Sequence, residues 1–201
     1  MIKLIDLIKE EDNKIIIPRN IEGRKEKHLQ IIYQNIQDYI KSGSKGDLDL
    51  TGSPITTLPD NLKKVRGHLK LNYSKIETLP DNLQVEKYLG LEKTPIKTLP
   101  NNLQVGGALN LKRSSIKSLP SNLQAKDIVS LDHTAIESLP DNLRIGSLSL
   151  YNTKIKTLPS NLQVEGYLDL RHTSIAEKHS EKEIKQMIES TGGFVNGDIY
   201  T

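Results

Sequence analysis

VEKYLGLEKTPIKTLPNNLQ, residues Val85 to Gln104, decides how this chain is to be read. Leu89 and Leu91 alternate with polar neighbours at period two, the pattern of a short strand with one buried face. Ile96, Leu99 and Leu103 follow at wider intervals, and Pro100 breaks any regular ladder behind the last inward leucine. The unit recurs. Leu-Pro pairs begin at Leu58, Leu79, Leu99, Leu119, Leu139 and Leu158, at spacings of 21, 20, 20, 20 and 19 residues. Written as V-x-G-x-L-x-L-x-x-T-x-I-x-x-L-P-x-N-L-Q, it fills residues 46 to about 178 in seven copies.

A fixed period of this length is the mark of a repeat solenoid, in which neighbouring units bury what one unit cannot bury alone. The inward pairs are Leu48/Leu50, Leu69/Leu71, Leu89/Leu91, Leu109/Leu111, Val129/Leu131, Leu148/Leu150 and Leu168/Leu170. Stacked in register they make a mainly β structure of short parallel strands about 4.8 Å apart. The return path is expected to be extended or a single tight turn, with Asn61, Asn82, Asn102, Asn122, Asn142 and Asn161 suited to a left-handed turn position. The hydroxyl residues Ser53, Ser74, Thr94, Ser114, Thr134, Thr153 and Thr173 are expected to form an internal ladder that satisfies loop backbone groups.

These motifs resemble leucine-rich repeats. The Leu-Pro unit is similar to the LPX-type repeats of bacterial effectors, and the fuller consensus looks more like repeat proteins encoded by tailed phages and by bacteria. The resemblance covers about two thirds of the chain. It implies a leucine-rich-repeat solenoid and a recognition scaffold, but no particular ligand.

Working outward, the ends of a solenoid need polar covers. Residues 1–45 are read as an N-terminal helical cap, because Leu29, Ile32, Ile36 and Tyr39 recur at helical spacing before Gly43. Ahead of them LIDLIKEED suggests a short helix and KIIIPR an extended stretch, with a boundary after Pro18. Residues 179–201 are read as a C-terminal cap. Ser180 and Glu183 make a capping-box pattern for a helix over 180–190, ended by Gly192-Gly193. The tail from Val195 to Ile199 matches Val164 to Leu168 position by position, which predicts a final strand over 195–199.

Composition narrows the function classes. The chain has no Cys and no Trp, one Phe and 4% aromatic residues. It therefore has no disulfide framework, thiolate nucleophile or Cys-ligated zinc. The charge balance of 28 Lys plus Arg against 25 Asp plus Glu gives +3, mildly basic and evenly mixed. No apolar run reaches the roughly twenty residues that span a bilayer, and acidic residues interrupt the N-terminal apolar stretch. The expected setting is the cytoplasm, of the host cell if the gene is viral, with the virion as an alternative; no membrane association is expected.

If stacking fixes the framework, recognition must lie in the columns it leaves free. On the strand face these carry Tyr73, Tyr88, Lys93, Lys112, Arg113, Asp132, His133, Tyr151, Tyr167 and Arg171. Tyr and Arg are the residue types enriched at interface hot spots, so these ten are the candidate partner-binding residues. Lys93, Lys112 and Arg113 beside Tyr88 could also serve nucleic acid, but Asp47, Asp49, Glu92, Asp132 and Asp169 interrupt the patch. His133 and His172 stand two strands apart, about 10 Å by strand spacing, too far to share a metal. Asp132-His133 near a Ser lacks the spacing of a nucleophile elbow. The expectation is a non-enzymatic, protein-binding scaffold, monomeric, without cofactor or metal. It would serve as an accessory or host-interaction protein; a minor virion or assembly component and a nucleic-acid-binding solenoid are the alternatives.

Overall fold

The structure, a computed structural model, describes residues 21–201. The short helix and extended stretch expected before Pro18 lie outside these residues. The chain is a β-solenoid with a helix at each end. Helix α1 (Ile21–Lys41) leads into two parallel rows of short strands that run along the body side by side.

The first row holds the expected leucine pairs. It comprises β1 (Leu48–Asp49), β3 (Leu69–Lys70), β5 (Leu89–Gly90), β7 (Leu109–Asn110), the ends of β8 (Gln124–Ser130) and β9 (Arg144–Ser149), then β11 (Leu168–Asp169) and β13 (Ile199–Tyr200). Leu48 pairs with Leu69, Leu69 with Leu89, and so on in strict register to Leu168 with Ile199. The second row was not expected. It pairs β2 (Lys64–Val65), β4 (Gln84–Val85), β6 (Gln104–Val105), the starts of β8 and β9, β10 (Gln163–Val164) and β12 (Phe194–Val195). Its second residue, a valine in most turns but Ala125 and Ile145 in two, is buried and the residue before it is exposed or half-buried, the same alternation compressed into two residues.

Each layer of the core is a ring of aliphatics. In one, Val85, Leu89, Leu91, Ile96 and Leu103 are all within 1% of full burial. At about 1.5 to 3 kcal/mol for each fully buried side chain, these rings dominate the stability. The two rows meet at a corner where backbones approach closely. A Cβ on Gly106 would stand 2.2 Å from the Glu86 carbonyl oxygen, so only glycine fits there. At Gly146 the corner is one residue shorter than its neighbour, which accounts for the register shift between Ala125 and Ile128.

The return path closes with a single tight turn, as in Leu62 N–H to Pro59 C=O at 3.0 Å. Asn82, Asn102, Asn142 and Asn161 adopt the expected left-handed conformation, whereas Asn61 and Asn122 do not. They also do something the sequence reading missed. Asn102 donates to Asn82 at 3.2 Å, Asn122 to Asn102 at 2.6 Å and Asn161 to Asn142 at 3.0 Å, forming amide ladders between turns. The hydroxyl column satisfies loop backbone groups as expected at five of its seven positions. Ser74, Thr94, Thr134, Thr153 and Thr173 are buried, and each donates to the leucine carbonyl three residues back in its own turn, at 2.6–2.8 Å. These bonds lie within each turn rather than between turns, and the buried Ser53 and Ser114 hydroxyls have no hydrogen-bond partner among the described residues.

The helices cover the two ends. In α1, Ile36 is fully buried, with Leu29, Ile32, Tyr33, Tyr39 and Ile40 packed against the core. Tyr39 Oη donates to the Ser44 and Gly46 carbonyls at 2.9 and 3.0 Å, and Gln37 pairs with Asn61. Helix α2 (Glu181–Ser190) starts on a complete Ser180–Glu183 capping box and buries Ile184 and Ile188. The expected final strand is present in the expected register, Val164 with Val195 and Leu168 with Ile199. It is split into β12 and β13 by the same corner as the turns before it, with Gly197 N–H on the Gly166 carbonyl at 2.9 Å.

Candidate functional site

After each first-row strand from β1 to β11 the chain reverses in a four-residue turn. Leu50 C=O accepts from Ser53 N–H at 3.1 Å, and Leu71, Leu111, Leu131, Leu150 and Leu170 repeat the bond. The third residue of each turn is left-handed: Gly52, Tyr73, Lys93, Arg113, His133, Asn152 and His172, with φ between 52° and 66°. Glycine, free of a Cβ, is the natural occupant of such a turn position. Here only the first turn uses it, and the other six hold a side chain there that L-residues accept at a cost of about 1–2 kcal/mol.

These turns are rigidly spaced. Tyr73 N–H donates to Glu92 C=O, Lys93 N–H to Lys112 C=O, Arg113 N–H to Asp132 C=O and His133 N–H to Tyr151 C=O, all at 2.8–2.9 Å. The ladder therefore continues past the strands into the turns, and the left-handed column keeps the strand spacing of about 4.8 Å.

Toward the C-terminal end the candidate residues converge. Tyr151 stands edge-on between His133 and His172, with ring centroids 5.3 and 4.9 Å away. The Arg171 guanidinium lies 5.6 Å from the Tyr151 ring and 5.5 Å from that of Tyr200, while Tyr167 meets Tyr200 edge-to-face at 5.9 Å. Arg171 is held by the buried Asp169 through two bonds of 3.0 and 2.7 Å, which raises its pKa further. Burial, together with Asp132 and Asp169, lifts the Tyr167 hydroxyl above its ordinary range, so it remains a neutral donor. Tyr200 was not among the sequence candidates. Extending the tail alignment by one residue would have placed it in the column of Asp169.

The other candidates form a looser group. Tyr73 is 53% exposed, lies under the Lys93 ammonium at 5.0 Å and donates to Glu92 at 3.2 Å. That carboxylate raises the Tyr73 pKa. Tyr88 packs at a tilt on His68, and its hydroxyl accepts from Asn110 at 3.2 Å. Its ring has room because residue 90 is glycine: a Cβ there would stand 2.7 Å from both the Tyr88 ring and the Asn72 amide. Lys112 pairs with Asp132 at 2.9 Å, and Ser149 Oγ donates to the same carboxylate. His133 bonds Asn152 at 2.9 Å instead. Asp132, His133 and Ser149 thus do not line up as a proton relay, which would need the carboxylate on the imidazole.

A second surface lies over the second row. Gln124, Lys126, Arg144 and Glu165 line an open groove of about 540 Å³, and Gln84, Glu86 and Gln104 a smaller one of about 310 Å³. Lys64–Glu86 and Arg144–Glu165 pair across it at 2.7 and 2.8 Å. Among the described residues no group of three His, Cys, Asp or Glu side chains is placed to hold a metal ion. No described helix is long and apolar enough to cross a membrane. Compared with known proteins, the chain matches no family model and no curated protein.

Proposed function

We propose that this chain is a non-enzymatic leucine-rich-repeat scaffold that binds a protein partner through the first-row strand face. The observation that carries the reading is the convergence of Tyr151, Tyr167, Tyr200, His133 and His172 around Arg171 on a half-exposed surface. Such a cluster presents large, pre-ordered contact area with little side-chain entropy left to lose, which is what protein hot spots require. The arginine is pre-set by Asp169, so its fork does not need to be ordered on binding. The resemblance of the repeat to phage-encoded proteins supports a virus-encoded accessory protein that meets its partner in the host cytoplasm.

The test is affinity capture from bacterial lysate with the full chain and with Y151A/Y200A. Arg171 is left in place so that Asp169 keeps its partner. A specific partner is expected to lose at least about tenfold in affinity for the double variant and to be retained by Q104A/R144A on the second row. A partner held equally well by Y151A/Y200A overturns the reading.

A further inference from the structure

The strand face and its turns carry five basic side chains besides histidine: Lys70, Lys93, Lys112, Arg113 and Arg171. Three are matched by carboxylates, Lys70 with Asp49 at 3.6 Å, Lys112 with Asp132 at 2.9 Å and Arg171 with Asp169 at 2.7 Å. Lys93 and Arg113 have no carboxylate partner among the described residues. Both are exposed, both sit in the left-handed column, and they occupy adjacent turns. That column holds no acidic residue at all, and next to Arg113 it continues with His133.

A left-handed conformation disfavours any residue with a Cβ relative to glycine, and the Arg113 side chain has no hydrogen bond or ion pair among the described residues, its backbone N–H alone bonding the Asp132 carbonyl at 2.9 Å. The ladder bonds fix the two backbones one strand spacing apart, and an extended peptide shows every second side chain on one face at about 6.6–6.8 Å. Two long, flexible cations span that difference easily.

We propose that Lys93 and Arg113, flanked by Tyr73 and His133, form the seat for an acidic segment of the protein partner, an extended stretch with carboxylates at alternate positions. This rests on the reading of the strand face as a protein-binding surface and names the chemistry it takes. Nucleic acid fits less well. A phosphate track asks for many cationic contacts, whereas only Lys93 and Arg113 on this face lack a carboxylate partner among the described residues.

The experiment is fluorescence anisotropy with the full chain and a fluorescein-labelled peptide of alternating Glu and Ser. The same peptide with Gln for Glu, and an oligothymidylate of similar length, serve as comparison probes. The Glu peptide is expected to bind at low salt and to weaken as salt screens it, with the Gln peptide at background. K93E/R113E is expected to lose about tenfold or more in affinity, K93Q/R113Q a smaller amount, and K126E on the second row nothing, all with unchanged circular dichroism. Absence of binding by the Glu peptide, equal binding by K93E/R113E, or tighter binding of oligothymidylate at the same residues would each overturn the proposal. Partner capture that depends on Tyr151 and Tyr200 while the Glu peptide fails to bind would sink the acidic-segment inference and leave the protein-binding reading standing.

Discussion

Replacing Arg113 with glycine should make this protein more stable. Arg113 sits at φ 54° in an exposed turn with no side-chain hydrogen bond or ion pair to lose. Removing the Cβ from a left-handed residue relieves about 1–2 kcal/mol. Glycine returns part of that, about 0.5–1 kcal/mol, through the wider freedom of the unfolded chain. The net expectation is a gain of about 0.5–1 kcal/mol, or about 1–4 °C in Tm for a chain of this size. Arg113→Ala is the decisive companion, since it deletes the same charge and stem but keeps the Cβ. It should be neutral or slightly destabilising. Urea unfolding of the three proteins, followed by circular dichroism and compared by midpoint at constant slope, reads the difference directly. If Arg113→Gly is no more stable than Arg113→Ala, the turn is not strained and the reasoning about its occupants collapses. The same glycine variant should bind the alternating Glu peptide more weakly, so stability and binding are expected to move in opposite directions.

Three further outcomes follow from the geometry. Gly106→Ala forces a Cβ to 2.2 Å from the Glu86 carbonyl oxygen, and backbone cannot yield cheaply, so a loss of about 2–4 kcal/mol is expected in urea unfolding. Arg171→Ala leaves the buried Asp169 carboxylate with only the residue 171 N–H and should lower the urea midpoint; adding Asp169→Asn should recover most of the loss, and an additive double-mutant cycle would show that the pair is not coupled. The Glu183 carboxylate is held below its ordinary pKa by the Ser180 N–H and hydroxyl. Its contribution is therefore present above the unfolded-state pKa and lost as pH falls through the lowered folded value, so the gap in midpoint between wild type and Glu183→Gln should close in acid.

Much of this was legible because the repeat averages out local ambiguity. Leu69, Leu89 and Leu109 each carry a weak strand signal, but together they specify a register, and the match of Val195 and Ile199 to Val164 and Leu168 located the last strand across an intervening helix. What escaped had no period-two signature. The second row contributes only two residues per turn, Gln84–Val85 for instance, too few for alternation to show. The amide ladder of Asn82, Asn102 and Asn122 looks identical in sequence to a set of independent turn residues, since pairing between turns depends on side-chain direction. The hydroxyl column was legible as groups that satisfy loop backbone, but not that Thr94 and Thr134 each do so within their own turn. At the candidate site, the residues could be tabulated from the repeat, but which ones touch could not. Arg171 meets Tyr200 only because helix α2 brings the chain back one layer later, and the left-handed state of Tyr73, Lys93 and Arg113 is invisible in residues that ordinarily avoid it.

The pairing of Leu168 with Ile199 spans thirty-one residues, where the earlier partners stand nineteen to twenty-one apart, and yet the two strand rows continue through it without a fault. The body thus measures its repeat at two short stretches and is indifferent to the length of what joins them. Because closing a longer loop adds only about 0.6 kcal/mol per doubling, the side carrying α2 is a place where whole segments can be spliced in or removed while the opposite face keeps its shape. A solenoid with that property can acquire a new module on its back without disturbing the strand face proposed to bind a partner.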